Sequence, residues 1–267
     1  MRSNNKKHGG WGRFWLALNA ILLLLAIGLI RAQTISGTAG AQGPSASPQT
    51  PATLSPPGQP PPPSSPTPKP LVMIDPAHGG SESGAALNPA ILEKDVTLAM
   101  ARRLRADLNA RGIVAELVRD DDETLSTDDR AAKANSEHPL LYICLHATSQ
   151  AGGMKIYSAM LGEAQESNGP FVDWNTAQSS SLASSRSAQQ LMVAAIQKSG
   201  ISARSLQAPL RPLNNVATTA LGIELGPTTA DVSQLMSADY QQNAAATLAN
   251  GIAALLSAMA TNPGASR

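Results

Sequence analysis

The chain has 267 residues, a formal net charge of +1 and only 3% aromatic residues. A dedicated nucleic-acid binder carries a basic patch or stripe, and a base-stacking platform needs aromatic rings, so we predict no nucleic-acid partner. The single cysteine, Cys144, cannot form an intrachain disulfide, which excludes a small disulfide scaffold.

The N-terminal residues are predicted to form a cytoplasmic tail (1–13) and a transmembrane signal-anchor (14–31). Residues 14–30 are apolar except for Asn19, and as a helix they would be roughly 25 Å long, near the low end for crossing a hydrocarbon core of about 30 Å. Basic residues precede this run, whereas only Arg31 follows it closely. The positive-inside rule therefore places the tail in the cytoplasm and the rest of the chain outside.

A cleaved signal peptide is the alternative interpretation of the same apolar run. Ala39-Gly40-Ala41 has the small-x-small pattern of a cleavage site, but it lies some way beyond the apolar residues. Both interpretations export everything that follows.

Residues 32–70 are predicted to be a disordered linker because they are dominated by Pro, Ser, Gly, Gln and Thr. Their Pro-rich part, at about 3.1 Å per residue, would reach on the order of 100 Å from the membrane. A motif for Pro-reading domains is the alternative to this spacer function.

From residue 71 to 262 the chain is typical of one globular domain with alternating strands and helices. In chain order we predict a strand at 71–74, a helix at 93–111, a strand at 113–118, a helix at 127–136, strands at 140–145 and 154–159, a helix at 181–198, a strand at 220–225 and a helix at 238–260. This alternation favours a single three-layer α/β domain, with a mostly parallel twisted sheet and helices on both faces.

Three residues with reactive side chains stand at predicted strand ends, and a fourth opens a helix. His78 follows the first strand, His146 and Glu224 lie at the ends of later strands, and Glu93 begins the helix after the first strand. Sites in open α/β sheets form outside the carboxyl ends of the strands, so these residues are expected to converge. Two imidazoles and one carboxylate are a common catalytic zinc set, and a second carboxylate can then accept a proton from water.

Each of these residues also has an ordinary structural interpretation. His78 could cap a turn, His146 could be a hydrogen-bonded core histidine, and Glu93 could stabilise the positive end of a helix. Glu224 needs a partner or a metal, because an isolated acid at the end of a buried strand is costly. Cys144, among apolar neighbours, is interpreted as a core residue rather than a nucleophile.

The ordered set of motifs resembles the zinc-dependent N-acetylmuramoyl-L-alanine amidases of bacterial cell-wall hydrolysis, the type-3 amidase domain. The resemblance runs from Leu71 to about Leu256 and rests on Asp75-Pro76-Ala77-His78-Gly79-Gly80, Glu93-Lys94, Val118-Arg119-Asp120, Leu125 with Arg130 and Ala134-Asn135, Cys144-Leu145-His146-Ala147, and Gly222-Ile223-Glu224-Leu225-Gly226.

This resemblance implies that His78, Glu93 and His146 bind Zn²⁺ and that Glu224 is the catalytic carboxylate. It implies a peptidoglycan substrate, cleaved at the amide between N-acetylmuramic acid and L-alanine of the stem peptide. The anchor would then be a single pass of the inner (cytoplasmic) membrane, with the catalytic domain in the periplasm or cell-wall space. Whether an activator protein takes part is left open.

Three residues depart from the family pattern, and there are two alternative functions, one of which these departures motivate. Ala77 replaces a usual Gly, Thr148 a usual Asn and Pro227 a usual Phe. The departures motivate a catalytically weak or inactive peptidoglycan-binding or scaffold protein of the same fold. A zinc peptidase that acts on the stem peptide itself is the third interpretation.

Overall fold

A computed structural model describes residues 71–161 and 174–261 of the chain. The predicted tail (1–13), membrane segment (14–31) and linker (32–70) lie outside the described residues, and so does residue 262 at the predicted end of the domain. Those assignments therefore stay predictions.

Six strands form one sheet in the order β4-β1-β5-β8-β6-β7. Their bounds are β1 Leu71–Pro76, β4 Val114–Leu117, β5 Leu141–Ala147, β6 Met154–Ala159, β7 Ala203–Ala208 and β8 Ala220–Leu225. The first four strands in this order run parallel, β6 runs antiparallel to β8, and β7 runs parallel to β6. The predicted mostly parallel sheet is confirmed, with β6 and β7 as the reversed pair.

Helices cover both faces of the sheet. Helices α1 (Glu93–Ala110), α3 (Leu182–Lys198) and α4 (Ala238–Thr261) share one apolar cluster with the sheet, whereas α2 (Thr127–Glu137) contributes Ala131 and Ala134 to the cluster on the opposite face. A small two-stranded sheet, β2 (Ala86–Asn88) and β3 (Ile91–Leu92), precedes α1, and 3-10 helices span Trp174–Ser181, Leu213–Asn215 and Val232–Met236.

Local sequence accounts for where the elements begin and how they are buried. Strand β5 is a nearly continuous apolar run buried on both faces, as expected for a central parallel strand. Helix α2 begins after Ser126, whose side chain accepts a hydrogen bond from the Asp129 N–H, so Ser126 is its N-cap. Gly112, at a φ of +75°, lies just beyond the C-terminal end of α1.

Within the described residues, every predicted helix and strand is present within a few residues of its expected bounds, but the β2–β3 pair and β7 were not predicted. Strand β7 is a sheet edge whose partner is β6. Three of its six residues, Arg204, Ser205 and Gln207, are polar and exposed. An edge strand of this composition lacks the apolar signal that identifies a buried strand.

Within the described residues, α4 is long and apolar enough to cross a membrane by length and composition. Half of its apolar window is buried inside the domain, and its side chains Ala245, Leu248 and Ile252 belong to the core cluster. Its packing is that of a core helix, so its hydropathy reflects burial against the sheet and its neighbouring helices.

Candidate metal centre

His78 follows β1 in a left-handed backbone conformation, with a φ of +63°. Its carbonyl accepts a hydrogen bond of 2.7 Å from Arg130 Nη2. Gly79 comes next at a φ of +138°, and a Cβ there would lie 2.3 Å from the Glu123 carbonyl oxygen. The loop therefore packs so closely that glycine is required beside the histidine.

Two buried arginines hold the backbone of this loop. Arg119 Nε donates to the Pro76 carbonyl at 2.9 Å and its Nη2 to the Ala77 carbonyl at 3.2 Å, while Arg130 Nη1 donates to the Pro76 carbonyl at 3.0 Å. Three consecutive carbonyls, counting that of His78, are thus fixed by guanidinium groups. The sequence showed these arginines only as motif positions, because nothing local indicates that they reach back to β1.

Asp75 neutralises the buried charge of Arg130. The two side chains form an ion pair at 2.5 Å and are 0% and 3% exposed, respectively, and the Tyr142 hydroxyl donates to the other carboxylate oxygen of Asp75. Burial raises the pKa of Tyr142 well above its ordinary value, and the nearby Asp75 charge adds to the shift. The hydroxyl therefore stays protonated as a donor.

Glu93 lies between the two histidines at the first position of α1. Its Oε1 is 2.8 Å from His146 Nδ1 and accepts from the Ala147 N–H at 3.2 Å. Its Oε2 is 3.2 Å from His78 Nε2 and accepts from the Ala85 N–H at 3.0 Å. Desolvation alone would raise the pKa of Glu93, but the hydrogen bonds from His146 and His78 outweigh it and hold that pKa well below its usual range.

Gly84 leaves the space in which His78 and Glu93 meet. A Cβ at this position would lie 2.6 Å from His78 Cδ2 and 2.7 Å from Glu93 Oε2, and the backbone φ is +65°. Any side chain here would therefore push the two candidate ligands apart.

His78, Glu93 and His146 each offer one ligand atom, and these atoms all lie within 4.8 Å of one another. Ligand atoms around a tetrahedral zinc ion are roughly 3.4 Å apart, so small side-chain movements suffice to close the set around an ion. The hydrogen bond to Glu93 raises the pKa of His78, while desolvation opposes that shift. The donor set, two imidazoles and a carboxylate, fits zinc with one position left for water.

Glu224 lies on β8 directly beside His146, its register partner on β5. It forms an ion pair with Lys155, through Oε1 and Nζ, and its Oε2 accepts a hydrogen bond from the Tyr157 hydroxyl at 3.1 Å. The sequence predicted that an acid here needs a partner. It did not identify Lys155 and Tyr157 as the partners, because the β6–β8 pairing is not visible in the sequence.

A cleft of about 360 Å³ lies on the sheet face opposite α1, α3 and α4; it is lined by Glu93, His146, Ala147, Thr148, Tyr157, Ala208, Leu210 and Glu224. A second cleft of about 380 Å³ lies near the start of α4 and is lined by Tyr240, Asn243 and their neighbours, without any histidine. Two of the three candidate ligands, Glu93 and His146, and the further carboxylate of Glu224 therefore line the first cleft.

The three departures from the family pattern are accommodated locally. The positive φ is found at His78 and not at Ala77. Alanine in place of the family's usual glycine therefore causes no backbone strain at position 77. Thr148 lines the cleft and its hydroxyl accepts from the Gln150 N–H at 3.3 Å. The Pro227 carbonyl accepts from the Gly152 N–H at 3.0 Å.

Cys144 is buried beneath the cleft at 1% exposure, as its core interpretation predicts. Its Sγ is 3.5 Å from His146 Nε2. Burial raises the pKa of this thiol well above its ordinary value, with the Asp75 charge as the next cause, so the thiol is unsuited to act as a nucleophile.

A family model described as N-acetylmuramoyl-L-alanine amidase matches residues 72–254. Among curated relatives, the endolysin of Bacillus phage SPP1 is 40% identical over 84 residues, covering 31% of this chain and 31% of that protein. The N-acetylmuramoyl-L-alanine amidase LytC of Bacillus subtilis is 40% identical over 78 residues, covering 29% of this chain and 16% of that protein. The chain thus matches less than a third of the length of either relative.

Solved structures resemble the domain over nearly their whole length. The N-acetylmuramoyl-L-alanine amidase AmiC2 of Nostoc punctiforme superposes with a TM-score of 0.57 at 25% identity, covering 72% of this chain and 99% of that one. The catalytic domain of the amidase CwlV of Bacillus (Paenibacillus) polymyxa gives a TM-score of 0.57 at 21% identity, covering 70% and 98%; at that identity the likeness shows the fold alone.

Proposed function

Because the chain belongs to the N-acetylmuramoyl-L-alanine amidase family, we propose that it is a zinc hydrolase of peptidoglycan. The bond it cleaves is the amide between N-acetylmuramic acid and L-alanine of the stem peptide. The observation that carries this proposal is the convergence of His78, Glu93 and His146, whose ligand atoms lie within 4.8 Å of one another beside a further carboxylate.

In this proposal His78, Glu93 and His146 hold the zinc ion. When bound, zinc supplies Lewis acidity, which polarises a carbonyl group and lowers the pKa of a water molecule towards about 7. The hydrogen bonds from the Ala85 and Ala147 backbone N–H groups keep the Glu93 carboxylate turned towards both histidines. Arg119 and Arg130 keep the His78 loop in place.

Glu224 is the proposed proton carrier. Its carboxylate accepts the proton of the attacking water and passes it to the nitrogen of the leaving L-alanine peptide, which departs as an amine. Its position supports this role, because it lines the same cleft as Glu93 and His146. The products are unsubstituted N-acetylmuramic acid in an intact glycan and a stem peptide with a free N-terminal L-alanine.

We also propose that the domain works outside the cytoplasm, on an inner-membrane anchor at residues 14–31 with a spacer at residues 32–70. The basic tail before the apolar run supports this orientation. A long Pro-rich spacer suits an enzyme whose substrate is a fixed layer at a distance from the membrane.

The decisive experiment compares the full-length chain with its Glu224→Gln variant on purified peptidoglycan, with zinc present and products identified by mass spectrometry. We expect Glu224→Gln to lower kcat by about 10²- to 10⁴-fold, with unchanged zinc content. Glu116→Gln, at an exposed glutamate of β4, is the matched control and should keep full activity.

Three outcomes would contradict the proposal in different ways. Equal activity of Glu224→Gln would remove its assigned role. Wall binding by the wild-type chain without any product would favour the scaffold alternative. Released peptides that lack the N-terminal L-alanine would identify a peptidase that acts within the stem.

A further inference from the structure

We propose that Lys155 and Tyr157 are positioning residues that hold the carboxylate of Glu224 in the orientation needed for proton transfer. This inference rests on the proposed function, in which Glu224 carries the proton. It adds two residues of β6 whose contacts with Glu224 are visible only in the folded domain.

Each oxygen of Glu224 has its own donor. Lys155 Nζ forms an ion pair with Oε1, and the Tyr157 hydroxyl donates to Oε2 at 3.1 Å. The side chains of Lys155 and Glu224 are only 15% and 20% exposed, so the pair is largely shielded from water. A carboxylate bonded at both oxygens cannot rotate without losing a hydrogen bond, and it still keeps free lone pairs to accept a proton.

The strand register brings these three side chains together. Lys155 is the direct partner of Glu224 in the antiparallel β6–β8 pair, and Tyr157 is the partner of Gly222. Since side chains two residues apart on a strand lie on the same face, Lys155 and Tyr157 share the face of Glu224.

Gly222 makes room for the tyrosine. A Cβ at Gly222 would lie 3.3 Å from Tyr157 Cβ and 3.6 Å from Leu213 Cδ2, which is tighter than ordinary packing on the tyrosine side. Without a side chain at this position, Tyr157 can reach along the sheet to the carboxylate two residues away on β8.

Lys155 and Tyr157 lie next to the candidate metal ligands. Glu224 has His146 as its register partner on one side and Lys155 on the other, and Tyr157 lines the cleft together with Glu93 and His146. The strand that carries a ligand and the strand that carries the two donors thus flank the carboxylate.

The test uses the full-length chain and its variants Lys155→Met, Lys155→Arg and Tyr157→Phe. We expect Lys155→Met to lower kcat by about 10- to 100-fold, because a misplaced catalytic group reduces the rate by about that factor. The KM of this variant should stay within about twofold of the wild-type value. Lys155→Arg should restore activity to within about fivefold of the wild type, and Tyr157→Phe should lower kcat by about fivefold. Lys198→Met, at the end of α3, is the charge-loss control.

Two readouts do not depend on activity. The zinc dissociation constant of Lys155→Met should match that of the wild type, because Lys155 is not among the proposed zinc ligands. A crystal structure of Lys155→Met should show the Glu224 carboxylate rotated away from its wild-type orientation, whereas Lys155→Arg should keep it.

The inference fails if the wild type is active and Lys155→Met has the same kcat. It also fails if Lys155→Met has a higher kcat than the wild type, because Lys155 would then limit the activity of Glu224. A rise in KM alone would contradict it as well, because Lys155 would then bind substrate. Equal losses in the Met and Arg variants would indicate a packing role. A wild-type chain that releases no peptide would instead refute the proposed function itself, and this inference with it.

Discussion

His78 lies in a left-handed backbone conformation that few non-glycine residues adopt, with a φ of +63°. Its carbonyl and those of Pro76 and Ala77 accept hydrogen bonds from Arg119 and Arg130. These arginines come from later segments of the chain, so the strained loop is stable only after the sheet and α2 have assembled. The position of the first candidate ligand therefore depends on two distant side chains.

Replacing Arg130 with Met should lower the free energy of unfolding by about 3–5 kcal/mol, because Asp75 would be left buried without its charge partner. Urea denaturation measures this loss. Arg105→Met removes an exposed ion pair with Asp120 and should cost no more than about 1 kcal/mol. Similar losses in the two variants would show that the buried pair has no special role.

At the scale of elements, the site depends on which strands are neighbours. Strand β5 carries His146 and β8 carries Glu224, and their parallel register aligns these two residues. The antiparallel β6 then places Lys155 on the other side of Glu224. Helix α4 packs on the opposite face, where it contributes Leu248, Leu255 and others to the core. It supports the sheet, and none of its residues lines the cleft that contains Glu224.

If α4 is a core helix, Leu255→Ala should lower the free energy of unfolding by about 2–5 kcal/mol, because it removes a side chain that is 2% exposed. The exposed Ser257 of the same helix provides the control, since Ser257→Ala should change stability by about 0.5 kcal/mol or less. Chemical denaturation of both variants tests this assignment. Unchanged stability of Leu255→Ala would indicate that the helix does not belong to the core.

At the scale of the whole molecule, the three candidate ligands belong to segments that are far apart in the chain. His78 follows β1, Glu93 begins α1 and His146 lies in β5, and all three meet only in the folded domain. An ion that binds all three therefore binds the native state far better than the unfolded chain, and such binding adds to the stability of the fold.

Saturating zinc should raise the free energy of unfolding by about 4 kcal/mol when its concentration is a thousand times its dissociation constant. The gain should shrink as the pH falls from 7.5 towards 5.5. Glu93 raises the pKa of His78 above its ordinary 6.5. As the pH falls, protons therefore begin to compete with zinc for His78 at a higher pH than they would for an ordinary histidine. The same raised pKa stabilises the metal-free folded protein below pH 6.5, which further reduces the gain from zinc.

Thermal unfolding with and without zinc across this pH range measures the effect. A gain that does not change with pH, or the same gain in a His78→Ala variant, would contradict binding at these ligands.

The sequence alone determined the α/β class and the positions of the longer helices and strands, and it pointed to the four candidate site residues. These features are local: apolar runs and helical periodicity report burial directly, and His78, His146 and Glu224 follow from their places at strand ends. The sequence could not place β7, because an exposed edge strand carries little apolar signal.

Only the tertiary structure decided how the site is held together. The antiparallel insertion of β6 beside β8 set the partners of Glu224, and the reach of Arg119 and Arg130 back to β1 set the backbone around His78. Both depend on strand order and on contacts between residues more than 40 positions apart. Such contacts leave no local pattern in a single sequence, because each segment keeps the same propensity whichever neighbour it packs against.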